Sequence, residues 1–114
     1  MIEPYYGGSH QAWMDGYRAT SQHTITQLTM PAQCWKWRMQ GGAVTMAHEF
    51  QELPSSPDLI IASDMMDVSL FRAITRTDIP IALYFHENQL TYPQNQRQRH
   101  GWQYGFINYA SALA

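Results

Sequence analysis

"DLIIASDMMDVSLFRAITRTDIPIALYFHEN", residues 58–88, is the stretch that decides the fold. Asp58-Leu59-Ile60-Ile61-Ala62 is a short, almost wholly apolar run, the composition of a strand covered on both faces. Asp67 stands where a helix N-cap belongs, and Leu70, Phe71 and Ile74 follow at helical spacing. Ile79 to Phe85 returns to strand composition. A strand, a helix and a second strand in one stretch form a crossover unit. Strands joined in this way run parallel, because only a long connection returns the chain to the same end of the sheet.

The same alternation continues outward. Met1 to Tyr6 reads as the end of a strand, followed by Gly7-Gly8, with Ser9 placed to cap a helix whose Trp13 and Tyr17 lie four apart. Thr24 to Met30 alternates with period two and stops at Pro31, which predicts a second strand. Ala43, Met46, Phe50 and Leu53 mark a helix that ends at Pro54-Ser55-Ser56-Pro57. Trp102, Phe106, Tyr109 and Leu113 form the apolar stripe of a last helix. The expected fold class is therefore α/β: a Rossmann-like open parallel sheet with helices on both faces. Ligands of such sheets bind beyond the carboxyl ends of the strands. His86 and Glu87 lie just past that end of the fourth strand, and Gly7 to His10 just past that of the first. With strands one and four adjacent, the two loops face each other across one cleft.

Bulk properties narrow the function. At 114 residues the chain forms one domain, and any activity needing two lobes requires a second elsewhere. A net charge of -2, from 7 Lys and Arg against 9 Asp and Glu, gives no global basic field to recruit nucleic acid or anionic membrane. Apolar runs are far shorter than the roughly 20 residues needed to span a bilayer. A single cysteine, Cys34, and the absence of a basic end and apolar stretch at Met1-Ile2-Glu3-Pro4 make a reducing cytoplasm the expected location.

Four groups of residues could carry chemistry. Gly7-Gly8-Ser9-His10 joins a strand to a helix, so its amides could meet an anion; equally it is a tight turn with a serine cap. It is neither a Gly-x-Gly-x-x-Gly fingerprint nor a P-loop. His86-Glu87-Asn88 places an imidazole able to give or take protons near neutrality beside a carboxylate, and in extended chain the two side chains point opposite ways. His86 is favoured as the group facing a ligand. Trp35-Lys36-Trp37-Arg38, if extended, puts both tryptophans on one side, either in the core or as a stacking platform with Arg38 near a phosphate. Arg97 and Arg99 sit in a polar loop that is ordinary surface or, with an RNA partner, a source of backbone contacts. The five histidines show no zinc-helix spacing, and no metal site is expected.

Together, Tyr5-Tyr6-Gly7-Gly8-Ser9-His10, the Pro31 to Arg38 segment, Leu83 to Pro93 with its Phe-His-Glu-Asn-Gln block, and Gln103-Tyr104-Gly105 resemble the amino-terminal domain of the tRNA-queuosine alpha-mannosyltransferase family. The resemblance runs in order over essentially the whole chain. It implies a retaining glycosyltransferase of the GT-B type, with two Rossmann-like lobes facing across a cleft. Family members of known activity transfer mannose from GDP-mannose to queuosine in tRNA. On this pattern residues 1–114 are the acceptor-side lobe, a fragment without the carboxyl-terminal donor-binding lobe and inactive alone. The donor would be a nucleotide sugar, the acceptor queuosine-containing tRNA, with no cofactor, metal or membrane involved. His86 and Glu87 would be the catalytic candidates. Gly7, Gly8, Ser9, His10, Asn88 and Gln89 would border the donor phosphates or the acceptor. Trp35, Trp37, Arg38, Arg97 and Arg99 would be the candidates for tRNA contact. The competing expectation is a flavodoxin-like phosphate or nucleotide-binding module without catalysis.

Overall fold

The computed structural model describes residues 1–91 and 101–114. Among these residues four strands and four helices alternate: β1 (Ile2–Tyr6), α1 (Gly8–Thr20), β2 (Leu28–Pro31), α2 (Trp35–Gln51), β3 (Ile60–Ser63), α3 (Val68–Thr75), β4 (Ile81–Tyr84) and α4 (Trp102–Leu113). All strand pairs are parallel and the sheet order is β2-β1-β3-β4, so the expected Rossmann-like α/β class holds. One detail differs: β1 and β4 are not neighbours, because β3 lies between them. The chain moves one way from β1 to β2 and the other way afterwards. Right-handed crossovers then set α1 on one face and the later helices on the other, and α2, α3 and α4 do pack against one another. The direction reverses between β1 and β3, which is the topological switch point where such sheets bind ligands.

The main core lies under α2 and α3. Ile2, Ala43, Met46, Ala47, Ile60, Ala62, Met66, Val68 and Phe71 are buried there in one cluster, with Phe50 edge-on to Phe71. Asp67 caps α3 as expected, its Oδ1 accepting from the Leu70 amide at 3.0 Å.

Three local readings are corrected. Ser9 does not cap α1: the helix begins at Gly8, Gly7 is the cap residue, and no side chain bonds the first turn. Trp35 to Arg38 is not extended but forms the first turn of α2, which starts after Cys34 in a left-handed conformation (φ 51°) with no polar cap to announce it. Two positions apart on a helix are on opposite sides. Trp35 accordingly packs on Tyr104 with ring centroids 4.9 Å apart, whereas Trp37 is 74% exposed. The apolar stripe of α4 faces outward: Trp102, Phe106, Tyr109 and Leu113 are exposed, and Tyr104, Gly105, Asn108 and Ser111 are buried. Hydrogen bonds explain that orientation. Asn108 Nδ2 donates to the Asp64 carbonyl (2.9 Å), Asn108 Oδ1 accepts from the Gln89 amide (2.9 Å), and Ser111 Oγ accepts from the Val68 amide (2.9 Å). Turning the helix over would bury apolar surface but strip these buried backbone groups of partners.

Candidate functional site

The site begins with an irregularity in β1. Between Glu3 and Tyr6 that strand takes three steps while β2 takes two, from Thr29 to Pro31, so β1 carries a bulge at Pro4-Tyr5. Proline has no amide to give to a ladder. The Tyr5 amide is released from regular pairing and instead donates to Glu3 Oε1 at 2.8 Å. A fully buried carboxylate, rooted on the amino half of β1, is thereby turned toward the carboxyl end of that central strand.

After β1 the chain turns into α1, and both glycines are needed there for different reasons. A Cβ on Gly7 would lie 2.5 Å from the Ala32 Cβ, and Gly8 has φ +55° with open space around it. The turn brings His10 back over the strand, where its Nδ1 donates to Glu3 Oε2 at 3.0 Å. Gly8 and Ser9 are exposed, so the uncapped start of α1 opens to solvent beside His10.

His86 reaches the same place from β4. Its amide donates to Asp64 Oδ1 at 3.1 Å, which bends the chain over the end of β3. Asp64 is itself held at that end, its amide donating to the Tyr84 carbonyl at 2.9 Å. The imidazole lies against His10, ring centroids 3.9 Å apart at 36°, and its edge meets Trp13 and Tyr84, themselves stacked at 4.1 Å. Although β3 separates β1 and β4, the loops after them do meet, because both lean across the end of β3. Side-chain exposures of 13% for His10 and 11% for His86 leave both rings partly open to solvent.

The electrostatics separate the two imidazoles. Burial alone would lower the pKa of His10, but the Glu3 hydrogen bond and charge, with Asp64 and Glu87 farther off, outweigh it and raise it. Burial lowers the pKa of His86, and the charge on His10 pushes the same way. His86 Nε2 stands 4.0 Å from Glu3 Oε2, too far for a hydrogen bond, and is buried without a partner among the described residues. Asp64 is 1% exposed, and desolvation raises its carboxyl pKa to about 6 against the hydrogen bond from His86.

Glu3, His10 and His86 are donors of the kind a divalent cation takes, and their ligating atoms lie within 4.8 Å of one another. The ring orientation does not favour a cage. In-plane lone pairs of two rings 3.9 Å apart and tilted by only 36° converge well beyond the point about 2 Å from each nitrogen where a cation would sit.

Other expected residues are distributed as follows. Glu87 is exposed in the bend after β4, near enough for its charge to act on His10. Asn88 makes a turn, its Oδ1 accepting from the Leu90 and Thr91 amides, and the Gln89 amide is tied to Asn108. Arg38 is committed to the Pro31 carbonyl at 3.2 Å, and its Nε is buried. Trp35 is in the second core cluster, leaving Trp37 as the free aromatic surface of that segment. Arg97 and Arg99 lie outside the described residues. Glu3, Asp64 and Asn108 were not expected. A lone carboxylate inside an apolar strand, and an aspartate at the carboxyl end of β3, were the signals available for the first two. A hollow of about 510 Å³ lies elsewhere, at the amino ends of the strands between Met1, Tyr17, Phe50 and Leu59. It contains no such cluster and sits at the end where these sheets do not bind ligands.

Comparison with known proteins agrees with the resemblance in the motifs. A sequence model described as tRNA-queuosine alpha-mannosyltransferase N-terminal matches residues 1–114. The tRNA-queuosine alpha-mannosyltransferase of Drosophila melanogaster is 33% identical over 124 aligned positions, covering 100% of this chain and 31% of the relative. The chain thus spans about a third of the length of that relative. No solved structure matches. With a match that takes in every residue, including both loops that build the histidine pair, the chain belongs to the tRNA-queuosine alpha-mannosyltransferase N-terminal family.

Proposed function

We propose that this chain is the acceptor-side lobe of a retaining GT-B glycosyltransferase that moves mannose from GDP-mannose to queuosine in tRNA, in the cytoplasm. What carries the reading is the meeting of His10 and His86 beside the open start of α1, at the switch point of the sheet. Family membership supplies the reaction class, and the matched relative names the sugar and the acceptor.

In this reading the amides of Gly8 and Ser9 face the donor diphosphate, where the positive end of α1 offsets charge building on the leaving group. The bond from sugar C1 to the phosphate oxygen breaks while the acceptor hydroxyl oxygen bonds C1 on the same face. The hydroxyl proton passes to the departing phosphate, and because attack and departure share one face the configuration at C1 is retained. Double displacement by a carboxylate pair about 5 to 5.5 Å apart is less favoured. Glu3 is buried and occupied by Tyr5 and His10, while Glu87 is exposed at the rim. His86 hydrogen-bonds the sugar as positive charge develops at C1, and Glu87 meets acceptor hydroxyls. The nucleotide itself would be gripped by a second lobe, in the part of the relatives' length that this chain does not span.

The test is to incubate full-length protein with GDP-mannose and queuosine-containing tRNA, then look by mass spectrometry for one added hexose on the nucleoside. The expected result is that increment, lost with His86→Ala. Transfer to a different acceptor would keep the class and discard queuosine; no transfer from any nucleotide sugar would overturn the assignment.

A further inference from the structure

We propose that Glu3 is a positioning residue that gives the two histidines opposite proton roles, binding His10 through Nδ1 so that its Nε2 is left for the reactants, and leaving His86 without a proton partner. The inference deepens the reading above and rests on it for the identity of the reactants. Its physical basis is independent of them. An ionised carboxylate only accepts hydrogen bonds, so at 3.0 Å from Glu3 Oε2 the His10 Nδ1 must carry its proton whether the ring is neutral or charged. When that ring is neutral, Nε2 is therefore the basic nitrogen. Oε1 is fixed by the Tyr5 amide, so the carboxylate cannot rotate away to serve His86, whose Nε2 stands a full ångström farther off.

The groups facing His10 come from three elements: Glu3 and Tyr5 from β1, Asp64 from the end of β3, and His86 with Glu87 from the loop after β4. Three of them are carboxylates, and only Glu3 touches the ring by hydrogen bond. Two imidazoles with ring centroids 3.9 Å apart cannot both be cations cheaply, so a proton drawn to His10 by Glu3 keeps His86 neutral. Separated proton affinities in neighbouring groups are the usual mark of an acid and a base sharing one site.

The deciding experiment uses the full-length protein labelled with 15N at histidine, followed by long-range 1H–15N spectra across pH. In the unmodified protein, neutral His10 should show its proton on Nδ1. Glu3→Gln keeps the shape but presents an amide. With the Gln Oε1 still accepting from Tyr5, its NH2 faces His10 and forces Nδ1 to become the acceptor. The His10 tautomer should invert and its titration midpoint fall, while the transfer kcat drops about 100-fold or more with little change in KM. Glu3→Asp, which keeps the charge, should recover the original tautomer at least in part. Neutral His10 protonated on Nε2 in the unmodified protein would overturn the proposal, and so would an unchanged tautomer in Glu3→Gln. One equivalent of Zn2+ displacing the Nδ1 proton would also overturn it, by making the cluster a cation site. If a variant fails to fold, the tautomer of the unmodified protein still decides. The spectra require no turnover, so failure of the sugar-transfer reading and failure of this one remain distinguishable.

Discussion

Replacing Asp64 with asparagine should make the protein more stable at neutral pH and remove part of its pH dependence. The carboxyl is buried, and its pKa rises from the ordinary 3.8 to about 6 in the fold. A raised folded value means that the native state holds the proton more tightly than the unfolded chain. Stability from this group is thus complete below about pH 4 and is lost as pH rises through 6, because ionisation strands a charge away from water. A rise of about two pH units at about 1.36 kcal/mol each corresponds to roughly 3 kcal/mol. Asparagine retains an oxygen for the His86 amide and carries no charge to bury. Urea unfolding of both proteins from pH 3.5 to 8 should give nearly coincident stabilities at the acid end. The gap should then open between pH 4 and 6 to about 3 kcal/mol in favour of the variant. A gap independent of pH, or a variant less stable at pH 8, would refute the argument by showing that hydrogen bonds outweigh desolvation at Asp64.

Asn108→Ala removes the partners of the Gln89 amide and the Asp64 carbonyl together, and should cost about 2 to 4 kcal/mol in denaturant melts; a loss below about 0.5 would mean that α4 is not held as described. Gly7→Ala forces a Cβ to within 2.5 Å of Ala32 and should destabilise by about 1 to 3 kcal/mol, although the extended backbone there suits any residue. Gly41→Ala, inside α2 with open space at its Cβ, should instead raise the thermal midpoint, with a gain of about 0.5 to 1 kcal/mol. Trp102→Ser with Phe106→Ser changes side chains that are 82% and 67% exposed, so stability should move by less than about 1 kcal/mol while concentration-dependent association, read by sedimentation, decreases.

What could be read in the sequence followed how local the physics was. The crossover from β3 through α3 to β4 was legible because cap, stripe and strands each lie within a few residues. The start of α2 was not, since Cys34 enters it through a positive φ that no side chain signals. The α4 stripe gave a helix but not its orientation, because long-range hydrogen bonds of Asn108 and Ser111 decide which side faces in. The same limit applies to the site. His86 and the Gly7 to His10 turn could be found as strand-end loops, but strand order sets their distance, and nothing local revealed that β3 would stand between them. Glu3 escaped notice because its burial depends on a bulge, a change of register between two strands distant in sequence.

Strand β4 borders β3 on one side and no other strand among the described residues on the other. Its outer margin therefore presents a ladder of amides and carbonyls, a template for a further strand. Extension there would lie beyond β4, away from the reversal between β1 and β3. Growth and chemistry are nonetheless coupled: material added along that margin would lie beside the strand whose Tyr84 packs on His86, so it could enlarge the domain or recruit a neighbour at the very edge that carries one imidazole.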